Sequence, residues 1–352
     1  MEEQQADAIL VTLPMHVYYL TGFFTNPHER FMGLVIPANG EPVLIVPALD
    51  RNAAEAASSV QNIMTHTDTD NPYQILKQAL PQNMKSLAVE KSHLTVSIYE
   101  AMVKELDVPT YIDVEEPLRQ MRLIKSADEV VRIKRACETI EEVLRQCLPK
   151  VKVGVTEAEI VAELEFLMKK LGSQGPSFST MVLSGPNSAL PHGKPGSRKI
   201  ANGEFLLFDM GVLQDGYISD ITRTFAVGEI NDKQKDVYET VLAANLAAIE
   251  ATRPGVVLAD LDQVARQVIA NKGYGEYFTH RLGHGMGMDV HEYPSVHGAN
   301  QDKVVSGMVF TIEPGIYLPE VGGVRIEDDV LVTDTGVEIL TSYPKELQII
   351  GV

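Results

Sequence analysis

The sequence predicts a two-domain α/β (α+β) protein whose second domain contains a sheet flanked by helices. Its 352 residues exceed what one hydrophobic core usually supports. Short β-rich runs between turns fill the first part of the chain, whereas a long amphipathic helix opens the second part. Two segments of the second part, residues 154–172 and 255–273, resemble each other. We therefore place the domains at residues 1–119 and 120–352.

The first domain is predicted to be a mixed sheet with helices. Three β-rich runs are typical of strands, namely Ala8–Thr12, Phe31–Ile36 and Pro42–Val46. The turn residues 37–40 separate the last two runs and favour a hairpin. Helices are expected at about Leu49–Ser58 and Pro72–Leu80. This pattern gives way to a basic stretch after Glu115-Glu116-Pro117, which is why the domain boundary is placed there.

The second domain begins with a long helix, because Ser126 and Glu129 form a capping box ahead of apolar residues at helical spacing. The segments 154–172 and 255–273 each begin and end with glycine and align at an offset of 101 residues with matching apolar positions. Each segment follows a long helix and precedes strand-like sequence. The second domain is therefore predicted to be a duplicated helix–helix–strand unit, although two amphipathic helices can also agree by chance.

The composition is that of a folded chain without a membrane span. Apolar residues make up 45%, charged residues 22%, and no apolar run approaches the roughly 20 residues that a spanning helix needs. We therefore expect no membrane as a partner. The net charge of −18 would repel a phosphate backbone, so we also expect no nucleic acid. The acidic start lacks the order of a signal peptide, and a cytoplasmic location is expected. Cys137 and Cys147 lie roughly 15 Å apart along one predicted helix, too far for a disulfide.

Two aspartates lie on one face of a predicted hairpin. A buried-looking strand ends near Asp209, the chain turns at Asp215-Gly216, and the return strand carries Asp220. A two-residue loop at this turn would set Gly211 opposite Asp220, with Asp209 as its diagonal neighbour. A single aspartate at a strand end is most often a turn or cap residue, but two on one face are placed to share an ion.

Further candidate ligands lie in the last quarter of the chain. Three histidines fall within twelve residues that also contain three glycines: His280, His284 and His291. Glycines allow a backbone to approach a ligand closely, and neutral imidazole is a common donor to a transition metal. Glu313 and Glu327 each end a short apolar run, and a turn at Gly322-Gly323 favours antiparallel strands in one sheet. Any one of these residues alone would usually be structural.

The candidate site combines four carboxylates with one imidazole: Asp209, Asp220, His284, Glu313 and Glu327. If they converge, each pair of like charges about 4 Å apart costs on the order of 4 kcal/mol at an effective dielectric constant near 20. Two divalent cations would offset this repulsion. Ligands that are mostly oxygen with one nitrogen suit Mn²⁺, Co²⁺, Fe²⁺ or Zn²⁺, and the lack of thiolates disfavours a structural zinc site.

These motifs closely resemble those of the pita-bread metallopeptidases, the family of methionine aminopeptidase, aminopeptidase P and prolidase. The matching motifs, in the order of the family, are Asp209-x-Gly211, Ser219-Asp220-Ile221-Thr222-Arg223-Thr224, Gly283-His284-Gly285, Thr311-Ile312-Glu313-Pro314-Gly315 and Val324-Arg325-Ile326-Glu327-Asp328. Residues 1 to about 117 resemble the creatinase-type N-terminal domain of prolidases. The resemblance covers essentially the whole chain and implies that domain followed by a pseudo-two-fold pita-bread catalytic domain.

The resemblance also implies the metal ligands. Asp220 and Glu327 would bridge two divalent ions, Asp209 would complete one site, and His284 with Glu313 would complete the other. We expect two ions per subunit, with manganese as the first choice and cobalt, zinc or iron as alternatives.

Other residues match substrate-handling positions of the family. His192 and His291 match its two substrate histidines. Arg325 and Tyr217 match positions next to the metal ligands, and we also assign Arg325 to the substrate-binding residues. Within the family, the stretch 26–30 and the pair His280-Arg281 resemble prolidases of lactic-acid bacteria. There an N-terminal loop of one subunit reaches the active site of the other, which implies a homodimer.

In those prolidases an arginine also helps to hold the dipeptide. The resemblance therefore implies substrate contacts by His28 and Arg281. Asn26 stands where these relatives have aspartate, and Ser295 stands where archaeal-type prolidases carry an arginine for the substrate carboxylate.

The implied activity is hydrolysis of the X-Pro bond of dipeptides, that of an Xaa-Pro dipeptidase or prolidase. A hydroxide bridging the two ions would attack the carbonyl carbon of residue X, and Glu313 would shuttle the proton to the departing proline nitrogen. His291 and His192 would hydrogen-bond the developing oxyanion.

Two alternatives stay open. An Xaa-Pro aminopeptidase would act on longer peptides, and Ser295 is the residue that favours it. A metal-free binding protein or creatinase-like enzyme could use the same scaffold. Comparing Ala-Pro with Ala-Pro-Ala as substrates separates the first alternative, and a metal assay separates the second.

Overall fold

The computed structural model describes residues 6–351, and the chain divides between Met121 and Arg122 into two compact units. Each unit has its own apolar core. Within the described residues no helix is both long and apolar enough to cross a membrane.

The N-terminal unit is built around a six-stranded mixed sheet. Its strands are β1 Ala8–Val11, β2 Gly33–Pro37, β3 Val43–Pro47, β4 Asn62–His66, β5 Ser86–Val89 and β6 Thr110–Asp113, in the order β4-β3-β2-β1-β5-β6. Its helices are α1 Pro14–Thr21, α2 Arg51–Ala57, α3 Pro72–Ala79 and α4 Val96–Glu105, and α5 Glu115–Leu123 leads to the second unit. Strands β2 and β3 form the predicted antiparallel hairpin around residues 37–40.

Both faces of this sheet are covered. Alternate residues of β1 pack into two different apolar clusters: Leu10 lies in one and Val11 in the other, and both are fully buried. Successive side chains of a strand point to opposite faces, so a strand buried on both sides is a continuous apolar run. This is why the Ala8–Val11 sequence lacks an alternation of polar and apolar residues.

The C-terminal unit contains two pairs of long helices. They are α6 Ala127–Cys147, α7 Glu157–Lys170, α8 Asp232–Ala251 and α9 Leu258–Asn271. The capping box predicted for Ser126 and Glu129 is present, and Thr156 begins α7 in the same way. Cys137 and Cys147 are both buried and free. They therefore act as packing residues of α6.

Most strands of the C-terminal unit lie in two larger sheets. The first has the order β20-β12-β9-β8 and the second has the order β14-β13-β15-β18-β19; smaller sheets are formed by β11-β10-β7 and by β16-β17. The strands are β7 Gly175–Pro176, β8 Met181–Ser184, β9 Glu204–Met210, β10 Val212–Gln214, β11 Tyr217–Ile218, β12 Ile221–Val227, β13 Gly283–Gly285, β14 Glu292–Val296, β15 Val309–Ile312, β16 Gly315–Leu318, β17 Gly322–Arg325, β18 Asp328–Val332, β19 Val337–Ile339 and β20 Ile349–Ile350.

The internal repeat is a real symmetry of this unit. Helix α7 begins at Glu157 and α9 at Leu258, and they end at Lys170 and Asn271, so both ends match at the offset of 101 residues. The connections before the two helices also match, because the amides of Gly154 and Gly255 each donate to a backbone carbonyl at 2.8 Å. One apolar cluster joins α6 and α7 to the first sheet, and another joins α8 and α9 to the second. The predicted duplication, with a sheet flanked by helices, is thus confirmed.

One turn differs from the sequence interpretation. Gly322 and Gly323 are residues of β17, and the turn lies before them, between β16 and β17. A Cβ atom on Gly323 would lie 1.9 Å from the carbonyl oxygen of Ser188. This glycine is therefore required by close packing of two backbones and not by a turn conformation.

Candidate metal centre

The aspartate hairpin has the predicted register. Asp215 and Gly216 form its turn with φ angles of 51° and 78°, as a two-residue type I′ loop requires. Leu213 pairs with Ile218, and Met210 pairs with Ile221, which sets Gly211 opposite Asp220. A Cβ atom on Gly211 would lie 1.9 Å from the carbonyl oxygen of Ser219. Only glycine therefore allows the return strand to bring Asp220 towards the face that carries Asp209.

His284 lies at the centre of the short strand β13, between two glycines. A Cβ atom on Gly283 would lie 1.9 Å from the carbonyl oxygen of Thr311, and one on Gly285 would lie 2.2 Å from that of Tyr293. The two glycines let β14 and β15 close in on either side of His284. Their place in the sequence next to a histidine was the signal for this approach.

The five predicted ligands line one cavity of about 440 Å³, although they come from positions spread over more than a hundred residues. Ligand atoms of Asp220, His284 and Glu327 all lie within 4.8 Å of one another. The Nε2 atom of His284 is 3.3 Å from Glu313 Oε1 and 3.8 Å from Asp220 Oδ2. Asp209 also lines the cavity, where Arg325 donates to its carboxylate.

Neighbouring hydroxyl groups orient two of the acids. Thr222 Oγ1 donates to Glu327 Oε2 at 2.6 Å, and Thr311 Oγ1 donates to Glu313 Oε1 at 3.2 Å. Neither threonine was given a role in the site from the sequence alone. A signal for them existed, because Thr222 lies two residues after Asp220 and residues two apart on a strand share a face.

Arg325 connects the acids to a second layer of the site. It is buried, it ion-pairs with Asp209, and its Nε donates to Thr222 Oγ1 at 3.1 Å. Its Nη1 donates to the hydroxyl of Tyr317 at 2.8 Å, and that hydroxyl is 2.8 Å from Nε2 of His280. Because Thr222 and Tyr317 hold the guanidinium in place, its ion pair with Asp209 restricts the orientation of that carboxylate.

Burial and mutual repulsion perturb the acids. Burial raises the pKa of Asp220 well above its usual value, and the charges of Glu327 and Asp209 raise it further. The pKa of Glu327 is raised for the same reasons, and burial raises that of Glu313 to about 7. Burial lowers the pKa of His284 to about 3, so its imidazole is neutral, as a metal ligand must be.

The residues fit a divalent cation. Oδ1 of Asp220 is buried and has no hydrogen-bond partner among residues 6–351, and burying such an atom unpaired is costly. A cation bound by Asp220, His284 and Glu327 would satisfy this oxygen and would offset the repulsion that raises the carboxyl pKa values. Oxygen ligands with one imidazole are a donor set for a divalent first-row metal.

Most of the predicted substrate residues also line the cavity. His192, His291, Arg281 and Arg325 are all among its lining residues. Arg281 is held there by Ser295, whose Oγ accepts from Nη1 at 3.0 Å. The sequence did not identify the apolar wall of the cavity, formed by Phe178, Met181, Pro191 and Val290, because single apolar residues carry no chemical signal.

The family resemblance also assigned Tyr217 and His28 to the site. Tyr217 does not line the cavity; its hydroxyl donates to Glu129 of α6 at 2.9 Å. Its place next to the metal ligands stays a prediction. His28 belongs to the N-terminal unit, where it lies in an exposed stretch with a φ of 55°. Its substrate contact stays a prediction.

A duplicated helix–sheet unit with buried acids and an imidazole round one cavity defines a class of metal-dependent hydrolases. The profile of metallopeptidase family M24 matches residues 131–334, and that of the creatinase/prolidase N-terminal domain matches residues 1–124. The chain therefore belongs to metallopeptidase family M24, which implies use of a divalent metal.

Solved structures of the same size are similar over their whole length. A prolidase from Pyrococcus horikoshii OT3 is 39% identical with a TM-score of 0.92, and the match covers 99% of this chain and 97% of that one. An Xaa-Pro dipeptidase from Bacillus anthracis is 35% identical with a TM-score of 0.93, covering 99% and 96%. An X-Pro aminopeptidase from Thermotoga maritima MSB8 is 33% identical with a TM-score of 0.91, covering 99% of both chains. The fold expected from the sequence, including its creatinase-type N-terminal domain, is confirmed.

Proposed function

We propose that this enzyme is an Xaa-Pro dipeptidase that uses two divalent metal ions to hydrolyse the bond between residue X and a C-terminal proline. The observation that carries the proposal is the arrangement of one cavity: buried acids and an imidazole on one side, and Arg281 facing the same space. A guanidinium in such a cavity suits the free carboxylate of a dipeptide. Similarity to a prolidase and to an Xaa-Pro dipeptidase supports the same activity.

Asp209, Asp220, His284, Glu313 and Glu327 would hold the ions. When bound, the ions supply a nucleophile at neutral pH by lowering the pKa of a coordinated water, and they stabilise negative charge. We expect manganese, with cobalt, zinc or iron as alternatives. Chelation followed by re-addition of single metals tests this expectation, and full activity in a metal-free sample would contradict it.

The protein groups perform the remaining steps. Glu313 would take a proton from the attacking water and deliver it to the departing proline nitrogen, since its carboxylate lies in the cavity 3.3 Å from His284 Nε2. His291 and His192 would donate hydrogen bonds to the carbonyl oxygen as negative charge develops on it. The ring of His291 packs edge-on against that of His284 at 4.3 Å, which places it beside the proposed metal ligands.

The roles of Glu313 and His284 can be tested directly. We expect Glu313→Ala and His284→Ala to abolish turnover of Ala-Pro while circular dichroism shows a folded protein. His284→Ala should also reduce the bound metal measured by elemental analysis. His93→Ala is the matched control, because His93 is exposed and lies in the N-terminal unit. Activity like that of the wild type in either site variant would refute the assigned roles.

A second candidate is an Xaa-Pro aminopeptidase, because the similar structure from Thermotoga maritima carries that name. Such an enzyme must accept residues beyond proline, where Arg281 would meet a peptide bond in place of a carboxylate. Rates on Ala-Pro and Ala-Pro-Ala distinguish the two activities. Faster cleavage of the tripeptide would replace the dipeptidase proposal with this one.

We further propose a homodimer in which the exposed loop with His28 lies near the active site of the partner subunit. His28 is exposed in the N-terminal unit and is therefore accessible to a partner subunit. Gel filtration with light scattering should give the mass of two chains, and His28→Ala should raise KM for dipeptides. A mass of one chain would contradict the shared site.

A further inference from the structure

An ion pair on α9 contacts the backbone of the segment that carries Arg281. Asp262 and Arg266 are four residues apart on this helix, and Arg266 Nε lies 2.6 Å from Asp262 Oδ2. Asp262 is only 1% exposed, whereas Arg266 is one-third exposed. Neither residue lines the cavity, and neither contacts a proposed metal ligand through its side chain.

This ion pair holds the backbone of the segment 278–282 at three points. Nη1 of Arg266 donates to the carbonyl of Phe278 at 2.9 Å, and Nη2 donates to the carbonyl of His280. Oδ1 of Asp262 accepts from the amide of Leu282 at 3.0 Å, an amide that also donates to Val296. The guanidinium lies 4.4 Å from the ring centre of Phe278. The segment lies between a short 3-10 helix and β13, where it is not part of a strand. These side chains therefore supply hydrogen-bond partners that its backbone would otherwise find in a neighbouring strand.

The segment that is held in this way carries Arg281. The backbone groups on both sides of Arg281, in His280 and Leu282, are bound by the ion pair, while the Arg281 side chain enters the cavity and contacts Ser295. A side chain whose two neighbouring backbone groups are fixed has its direction fixed at the Cα atom. The starting point and initial direction of the Arg281 side chain therefore depend on α9, and Ser295 orients its guanidinium.

The internal symmetry shows that the scaffold itself does not need this pair. At the offset of 101 residues, Asp262 and Arg266 correspond to Val161 and Glu165 of α7. Helix α7 occupies the equivalent place in the first half with the same length and the same glycine-bounded connections. The ion pair is thus a feature of the half that presents Arg281, and not a requirement of the helix–sheet packing.

We propose that Asp262 and Arg266 are positioning residues that aim Arg281 at the C-terminal carboxylate of the dipeptide. This inference rests on the proposed dipeptidase function. Its consequence is a specificity effect: loss of the ion pair should weaken recognition of a free carboxylate more than it weakens cleavage of the bond itself.

The experiment compares two substrates that differ only in that carboxylate. The ratio of kcat/KM for Ala-Pro to kcat/KM for Ala-prolinamide is measured for the wild type and for Arg266→Met, which keeps the apolar stem and removes the guanidinium. We expect Arg266→Met to lower this ratio by about tenfold or more, mainly through KM for Ala-Pro, because charge-assisted hydrogen bonds are strong and depend on direction. Arg145→Met is the matched control, since Arg145 also pairs with a buried acid four residues earlier on a helix, and its ratio should not change.

A double variant separates positioning from a general loss of structure. If Arg266 acts through Arg281, the variant Arg266→Met/Arg281→Met should have the same ratio as Arg281→Met alone, because coupled residues are not additive. Arg266→Lys, which keeps the charge but cannot bind two carbonyls in the same geometry, is expected to give an intermediate ratio and serves if Arg266→Met does not fold.

The outcomes are distinguishable. The wild type is first expected to prefer Ala-Pro to Ala-prolinamide. If the Arg266 variants then keep this full preference while both rates fall, the positioning role is overturned and the dipeptidase proposal stays intact. A wild-type enzyme that cleaves both substrates equally would overturn both proposals.

Discussion

Glu292 is expected to make the stability of the catalytic unit depend on pH. Its carboxylate is 7% exposed and lies between two buried cations: Lys125 Nζ is 3.0 Å from Oε2, and Arg122 donates to Oε1. Oε1 also accepts from the amides of Met288 at 2.7 Å and Asp289 at 3.1 Å. Burial alone would raise the pKa of Glu292, but the charges of Lys125 and Arg122 lower it to about 2.

The size and sign of the effect follow from this pKa. A carboxyl whose pKa is lowered from 4.5 to about 2 on folding contributes about 3 kcal/mol at pH 7. This contribution is complete well above pH 4.5 and is lost as the pH falls towards about 2, because the unfolded chain takes up the proton first. Glu292→Gln removes the contribution at every pH, and the wild-type advantage over this variant should therefore shrink by roughly 1 kcal/mol between pH 7 and pH 4.

Urea unfolding at a series of pH values, with equal metal in every sample, measures the difference. We expect Glu292→Gln to unfold at lower urea than the wild type at pH 7, and the two midpoints to approach each other on acidification. Glu320→Gln is the control, because Glu320 is exposed and should behave like the wild type throughout. A stability difference that is the same at pH 7 and pH 4 would refute the electrostatic explanation and leave only a packing defect.

Three further predictions concern stability and are all read from urea midpoints. Gly211→Ala would place a Cβ atom 1.9 Å from a carbonyl oxygen of the return strand, and it should cost about 3 kcal/mol or more; an unchanged midpoint would contradict the hairpin geometry. Arg223→Met should cost about 3–5 kcal/mol, since it removes the 2.8 Å partner of the fully buried Asp328, and a neutral result would show that Lys345 suffices. Leu164→Ala, in the core, should cost about 2–5 kcal/mol, whereas Phe166→Ala, 59% exposed on the same helix, should stay within about 0.5 kcal/mol.

The parts of the site that could be predicted from sequence depend on local rules. A two-residue loop at Asp215-Gly216 determines the register of its hairpin, and the register brings Asp209 and Asp220 to one face. The domain repeat could also be recognised, because helix lengths and glycine positions are local properties. His284 and the two glutamates could be singled out by their glycine-rich or apolar surroundings, but no local rule connects them to the hairpin, and the family motifs supplied their roles.

The parts that could not be predicted depend on contacts between distant segments. Arg325 pairs with Asp209, a residue 116 positions away, and no pattern in the sequence indicates this partner. The contact of Tyr217 with Glu129 of α6 could not be predicted for a related reason, since it depends on the packing of a helix against the hairpin. The proposed positioning role of Arg266 could not be predicted either, because an acid and a base four residues apart on a helix usually form a solvent-exposed stabilising pair.

The duplication divides the proposed metal ligands between its two copies. Asp209 and Asp220 come from the first copy of the repeat, whereas His284, Glu313 and Glu327 come from the second. Two identical first copies would supply only the two aspartates, each twice, and two identical second copies would supply only the histidine and the two glutamates, each twice. Neither arrangement gives the five-residue ligand set. The two copies carry different residues at corresponding positions, such as Val161 and Asp262, and the complete ligand set requires both of them.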